Sequence, residues 1–342
     1  MKFEKRDYTL TVLNGQRPKP VKWWVPDIAP EKLVALRTAN NRHALIDFGL
    51  WFVLLGLTGW MAWISLGSPW AIPMFFIYGT IYASSDARWH ELSHGTVFRT
   101  KWLNDSLYQL CSFMTLREAY LWRYSHTRHH THTIVVGSDP EIQVARPADL
   151  VRIALDFFFI PSGIGEIRRI TSHAFRGLSA QEAQFVPERA KMRLIRNSRI
   201  YVLLWVLIVL WCVIGQSLLP LLFVIGPRFY GGWLHQLLGL TQHAGLAENV
   251  TDHRENCRTV MINPVFRYLY MNMNYHLEHH ASPTVPYHTL PNFHALIADQ
   301  CPPAYPSLWA AYREIMPVLW AQATKDPDIH ASRPVPKAAV QA

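Results

Sequence analysis

From Phe48 to Leu66 the chain carries no charged residue, and the run is close to the ~20 residues a helix needs to cross a bilayer. Inside lipid every backbone N–H and C=O must be satisfied internally, which leaves only helices and closed barrels. An unbroken apolar run with no alternation selects the helix. Half of the residues are hydrophobic, and they recur in such runs. A second begins at Trp70, after the turn Gly67-Ser68-Pro69, and stays uncharged until Asp86. A third, Ile200 to Gly215, is separated by only Gln216 and Ser217 from a fourth, Leu218 to about Leu240. Pro227 predicts a kink in that last arm, and Arg228 and His235 predict that it faces protein or a cavity. The pattern predicts an all-α integral membrane protein: four transmembrane helices (about 48–66, 70–88, 200–215 and 218–240) and a cytoplasmic histidine-rich helical cap, in one domain spanning 1–342.

The hairpin tips near Gly67 and Gln216 contain no Lys or Arg, whereas the N-terminal arm 1–46, the stretch Arg88 to Arg199 and the C-terminal part are rich in them. The positive-inside rule therefore places both tips outside, and both termini inside. Trp102 to Leu121 is interrupted by Asn104, Asp105, Gln109, Arg117 and Glu118 and reads as interfacial, as does Leu150 to Ile160 with Arg152 and Asp156. The proline-bearing stretches Arg17 to Pro30 and Asp326 to Ala342 read as irregular, with 297–342 forming a C-terminal tail. The N-terminus lacks the apolar core of a signal peptide, so no cleavage is expected before the first span. The formal charge of +9 is spread over segments flanking apolar runs, which argues for membrane-surface charge and against nucleic acid. Cys111, Cys212, Cys257 and Cys301 show no C-x-x-C spacing, so neither a disulfide framework nor a thiolate metal site is expected.

Against this background stand three histidine clusters: His90/His94 in H-E-L-S-H, His126/His129/His130 in H-T-R-H-H, and His276/His279/His280 in H-L-E-H-H. Helical residues three and four apart share a face, so each cluster aims its imidazoles together. Eight imidazoles exceed what one first-row metal accepts while keeping a position open, so at least two metals are implied. H-E-L-S-H also matches the one-zinc protease motif H-E-x-x-H with Glu91 as base, but that reading leaves the other two clusters without a role. A metal transporter would need ionisable ligands within the spans, whereas these clusters lie beyond span ends. His43, His173, His288, His294 and His330 read as surface or hydrogen-bonded side chains, with His288 and His294 on the surface after the last cluster.

The order H-x-x-x-H, H-x-x-H-H, H-x-x-H-H on a four-span chain resembles the membrane fatty acid desaturase and hydroxylase superfamily. N-M-N-Y-H-L-E-H-H-A-S-P-T-V-P-Y-H-T-L-P is particularly similar to its bacterial acyl-lipid branch. The stretch Y-S-H-T-R-H-H-T-H-T with G-S-D-P-E-I is also similar to an oxygenase associated with rhizopine breakdown. The resemblance covers Phe48 to about Leu296. It implies two nonhaem irons held almost wholly by histidine, O2 as co-substrate, and oxidation of an unactivated C–H bond. The product would be a double bond in a fatty acyl or lipid chain; the alternative is hydroxylation of an alkane, a terpenoid or a small methylated amphiphile. It further implies a ninth histidine beyond the last span, best matched by His243 in G-L-T-Q-H-A-G, with His235, His253 and His132 as alternatives. A shell of neutral histidines calls for groups that orient the outward ring nitrogens, and Asp86, Glu91, Asp252, Asn274 and Glu278 are the candidates. Arg228 reads either as a contact to an anionic substrate group or as a structural ion pair. No G-x-G-x-x-G or iron–sulfur cysteine pattern is present, so electrons must come from outside. The resemblance implies a ferredoxin or cytochrome b5 type donor with its reductase, and the expected location is a bacterial inner membrane with the active site cytoplasmic.

Overall fold

A computed structural model describes residues 3–11 and 21–336, so residues 17–20 and 337–342 of the two proline-bearing stretches lie outside the described residues. Helix accounts for 62% of the structure and no strand forms among the described residues, as the apolar runs require. The chain divides into two compact units.

One unit, Asn40–Tyr124 with Ala154–Leu237, contains the apolar runs. Its first helix, Asn41–Ile64, starts where the Asn40 side chain accepts hydrogen bonds from the backbone N–H groups of Arg42 and His43. Twenty-four residues give about 36 Å, enough for a hydrocarbon layer of about 30 Å. Two stretches, Pro30–Ile64 and Glu188–Ile214, are long and apolar enough to cross a membrane, and only 17% of the most apolar window of each is buried. Trp60, Trp63, Leu207 and Ile214 point outward at half exposure or more. A face of that kind is stable against lipid and costly against water.

The second run forms helices Ala71–Ala83 and Ser85–Ser93 with a break at Ser84. The fourth run departs further from expectation. In place of one kinked arm there are three short helices, Leu219–Val224, Gly226–Tyr230 and Trp233–His243. Pro227 lacks the N–H that would reach the carbonyl of Phe223. Tyr78 donates its hydroxyl to that oxygen at 2.8 Å, and Tyr82 donates to the carbonyl of Val224 at 2.6 Å. The break is thus compensated by hydroxyls from the second run, as backbone groups away from water demand. Gly231 makes the crossing close, since a Cβ there would lie 1.9 Å from the backbone of Gly79.

The other unit comprises the chain up to Ala39, Ser125–Ile153 and everything from Leu238 onward. Its core gathers Leu36, Cys257, Tyr275, Leu277, Phe293 and Ile297 behind the short helix His276–Ala281. The described parts of the proline-bearing stretches are irregular yet tied down: Trp24 N–H donates to Thr251 O, and Ala331 N–H donates to Gly245 O.

Candidate metal centre

Adjacent residues of an α-helix diverge by about 100°, so an H-x-x-H-H box cannot aim all its rings at one point. On helix Ala119–Thr131, His126 and His130 share a direction and their Nε2 atoms lie 3.0 Å apart. His129 faces elsewhere. On helix His276–Ala281, His276 and His280 pair in the same way, with Nε2 atoms 3.0 Å apart, and His279 is the outlier. The two boxes exchange their outliers. His279 Nε2 comes within 3.2 Å of His130 Nε2, forming a group of His126, His130 and His279. His129 joins His280 and His243, and His243 Nε2 lies 2.9 Å from His276 Nε2. Two nitrogens bound to one metal at about 2.1 Å and at right angles lie about 3.0 Å apart. The observed separations are close to that spacing, so each group could hold a metal ion. His90 and His94, in the other unit, sit one helical turn apart with ring centroids separated by 5.3 Å. Of the alternatives to His243, His235 pairs with Asp86. His253 stacks on Trp23 at 4.0 Å and falls with Cys257 and His280 in a further potential ligand group. His132 is buried.

The outward Nδ1 atoms are anchored. Glu141 lies 2.9 Å from His126 Nδ1, and Asp139 lies 2.8 Å from His129 Nδ1. His243 Nδ1–H donates to the carbonyl of Asn256 at 2.7 Å. Thr133 donates its hydroxyl to His129 O, so its oxygen accepts from His280 Nδ1–H at 3.1 Å. A ring whose Nδ1–H is held by an acceptor presents the Nε2 lone pair, which fixes the ligating nitrogen. The carboxylates are held in turn. Asp139 accepts from the N–H groups of Ile134 and Glu141, and Glu141 accepts from the Ser125 hydroxyl at 2.5 Å. Burial and neighbouring imidazoles push His243 and His280 well below the ordinary histidine pKa, which keeps them neutral as ligands must be. Burial would lower His129 as well, but the Asp139 carboxylate outweighs it and the net shift is upward.

Most of the orienting groups expected from sequence have other partners. Asp252 caps helix His253–Asn256 and pairs with Arg254. Asn274 donates to Val260 O, and Glu278, fully buried, engages Thr259 and His294. Asp86 forms a buried ion pair with Arg228, the structural one of the two readings of that arginine. Glu91 alone among the five faces a cluster histidine, 3.2 Å from His90 Nδ1. His294 is not a surface side chain, since only 18% of it is exposed and it lies 2.5 Å from Glu278. His173 is buried against Glu182. The missed residues, Asp139 and Glu141, belong to G-S-D-P-E-I, whose acidic pair begins nine residues past the last histidine of the second box. Asp139→Asn and Glu141→Gln should each weaken metal affinity by about 10- to 100-fold, the usual cost of losing an outer partner, measurable by chelator competition. Wild-type affinity in both would show that these carboxylates do not support the site.

A family model for fatty acid desaturases matches residues 68–312, a span that takes in all three histidine boxes and His243. The chain belongs to the fatty acid desaturase family. No curated protein matches it. As a desaturase-family member it is an oxidoreductase of the desaturase/hydroxylase superfamily, with a lipid substrate and a membrane setting implied, in a family that is generally diiron. Its two largely unburied apolar helices suit that setting.

Proposed function

We propose that this desaturase-family protein is an O2-dependent nonhaem diiron enzyme that introduces a double bond into a fatty acyl or lipid chain. What supports the reading best is the exchange of outlying histidines, which divides seven imidazoles into two groups at shell-edge distances, four of them with anchored Nδ1 atoms. In this proposal His126, His130 and His279 hold one iron, His129, His243, His276 and His280 hold the other, and His90 and His94 of the first box are further candidate ligands. The donor set fits iron, for which imidazole is a suitable ligand. Two irons so held would supply the O2-activating chemistry needed to remove hydrogen from an unactivated C–H bond.

The protein's own part is to hold and to shield. Asp139, Glu141, Asn256 O and Thr133 fix ring orientation, and the buried core behind helix His276–Ala281 keeps that helix in place. The overall balance needs an outside reductant. Desaturation takes two hydrogen atoms, that is two protons and two electrons, from the chain, and two further electrons with two protons complete the reduction of O2 to two waters. A ferredoxin or cytochrome b5 type carrier with its reductase fits that demand. The net positive charge of the chain favours an acidic carrier. We further propose four membrane crossings within a single domain, both termini and all histidine boxes on the cytoplasmic side of a bacterial inner membrane. Uncharged tips at Gly67 and Gln216 support that orientation.

Purified protein should hold close to two irons per chain, and product formation with a reconstituted donor should stop without O2 or without reductant. Labelled oxygen distinguishes the chemistries, because a desaturase leaves its product label-free whereas a hydroxylase carries the label into it. Undiminished turnover under strict anaerobiosis would refute the assignment.

A further inference from the structure

The loop that supplies Asp139 and Glu141 is held at both ends by one distant segment of the chain. At its start, Thr11 N–H donates to Gly137 O at 2.8 Å. Gly137 has φ +76°, and a Cβ there would meet Thr11 Oγ1 at 2.7 Å, so the approach depends on glycine. At its end, Arg6 N–H donates to Arg146 O at 3.0 Å, and Arg146 N–H donates to the Tyr8 hydroxyl at 2.9 Å. Tyr8 donates that hydroxyl to Glu248 at 2.6 Å. Burial and then Glu248 push the Tyr8 pKa up to about 12, which keeps the donor protonated. Glu248 also pairs with Arg146 at 3.2 Å and with Arg6, and Arg6 reaches Asp328. The Arg146 guanidinium donates to Leu246 O at 2.6 Å, three residues past His243. Arg146 is 5% exposed, as is the Glu248 side chain, so the centre of the network is buried while its Arg6–Asp328 edge is open to solvent.

We infer that the segment Arg6–Thr11 belongs to the metal centre as a clasp: Tyr8, with Arg146 and Glu248, positions the 137–146 loop so that Asp139 and Glu141 meet His129 and His126. The inference rests on the two-metal reading above. Tyr8 touches no ligand histidine and acts only through the loop, so it is a positioning residue. The arrangement joins three parts of the chain far apart in sequence, near residues 6–11, 137–146 and 243–248. The first two lie outside helices, and the third begins at His243, the last residue of helix Trp233–His243.

Tyr8→Phe keeps the ring and removes both hydroxyl bonds, and Thr11→Pro removes the N–H at the other end. Each holoenzyme should lose metal to a chelator about tenfold faster than wild type, the low end of what loss of an outer partner costs. Backbone hydrogen exchange should rise within 137–146 and stay unchanged in Glu188–Ile214, a pattern that general destabilisation would not give. If both variants hold metal at the wild-type rate, or if exchange rises everywhere alike, the clasp is wrong. A wild-type protein that retains no metal would remove the clasp together with the reading beneath it.

Discussion

His243→Ala should strip the group it shares with His129, His276 and His280 of its metal and reduce turnover by more than about 100-fold, beyond the range seen for outer partners. The ring sits at the closest Nε2 approach in that group, 2.9 Å from His276, with its other nitrogen fixed on Asn256 O. His235 is engaged with Asp86, and His253 is stacked on Trp23. Iron analysis of the variant should show the group formed with His126, His130 and His279 better retained than the other. His288→Ala should leave metal content near wild type. His294→Ala should fall between, because it deprives the buried Glu278 carboxylate of a partner beside the third box. Full metal occupancy and turnover in His243→Ala would transfer the ninth position to another residue.

Arg228→Leu should cost about 3–5 kcal/mol of stability, because it leaves the Asp86 carboxylate in the interior without its guanidinium and with His235 as a partner. Both side chains are essentially inaccessible, and the guanidinium also lies 3.9 Å over the Phe159 ring. Replacing both partners with apolar residues should recover much of the loss, since the penalty comes from the charge left behind and not from absence of the pair. Thermal unfolding in detergent measures the effect, and substrate kinetics provide the contrast. A raised KM with unchanged stability would mean that Arg228 serves a substrate anion and that the ion pair is incidental.

What could be read from sequence divides along a physical line. Helical periodicity is local, so the runs at Phe48 and Ile200 and the shared faces of His126/His130 and His276/His280 follow from spacing alone, whereas His129 and His279 depart from the expectation that each cluster aims its imidazoles together. The grouping of His243 with the boxes follows from the family resemblance and not from spacing, which leaves His235, His253 and His132 open beside it. The partners of the ring nitrogens are set by tertiary approach, and there residue type alone misleads. Asp252 precedes a helical turn and caps it, as Asp commonly does. Asp86 lies four residues from His90, but the Arg228 guanidinium makes the stronger claim on it. The three-piece fourth run shows the same limit: Pro227 announces a break, but the hydroxyls of Tyr78 and Tyr82 that make it tolerable come from another part of the chain.

Asp139 and Glu141 are separated only by Pro140, yet each serves a different histidine group. Proline restricts the backbone between them, so the two carboxylates cannot be ordered independently. In the two-iron reading proposed above, whatever displaces this one turn reaches both histidine groups at once, so the two sites share a single point of failure.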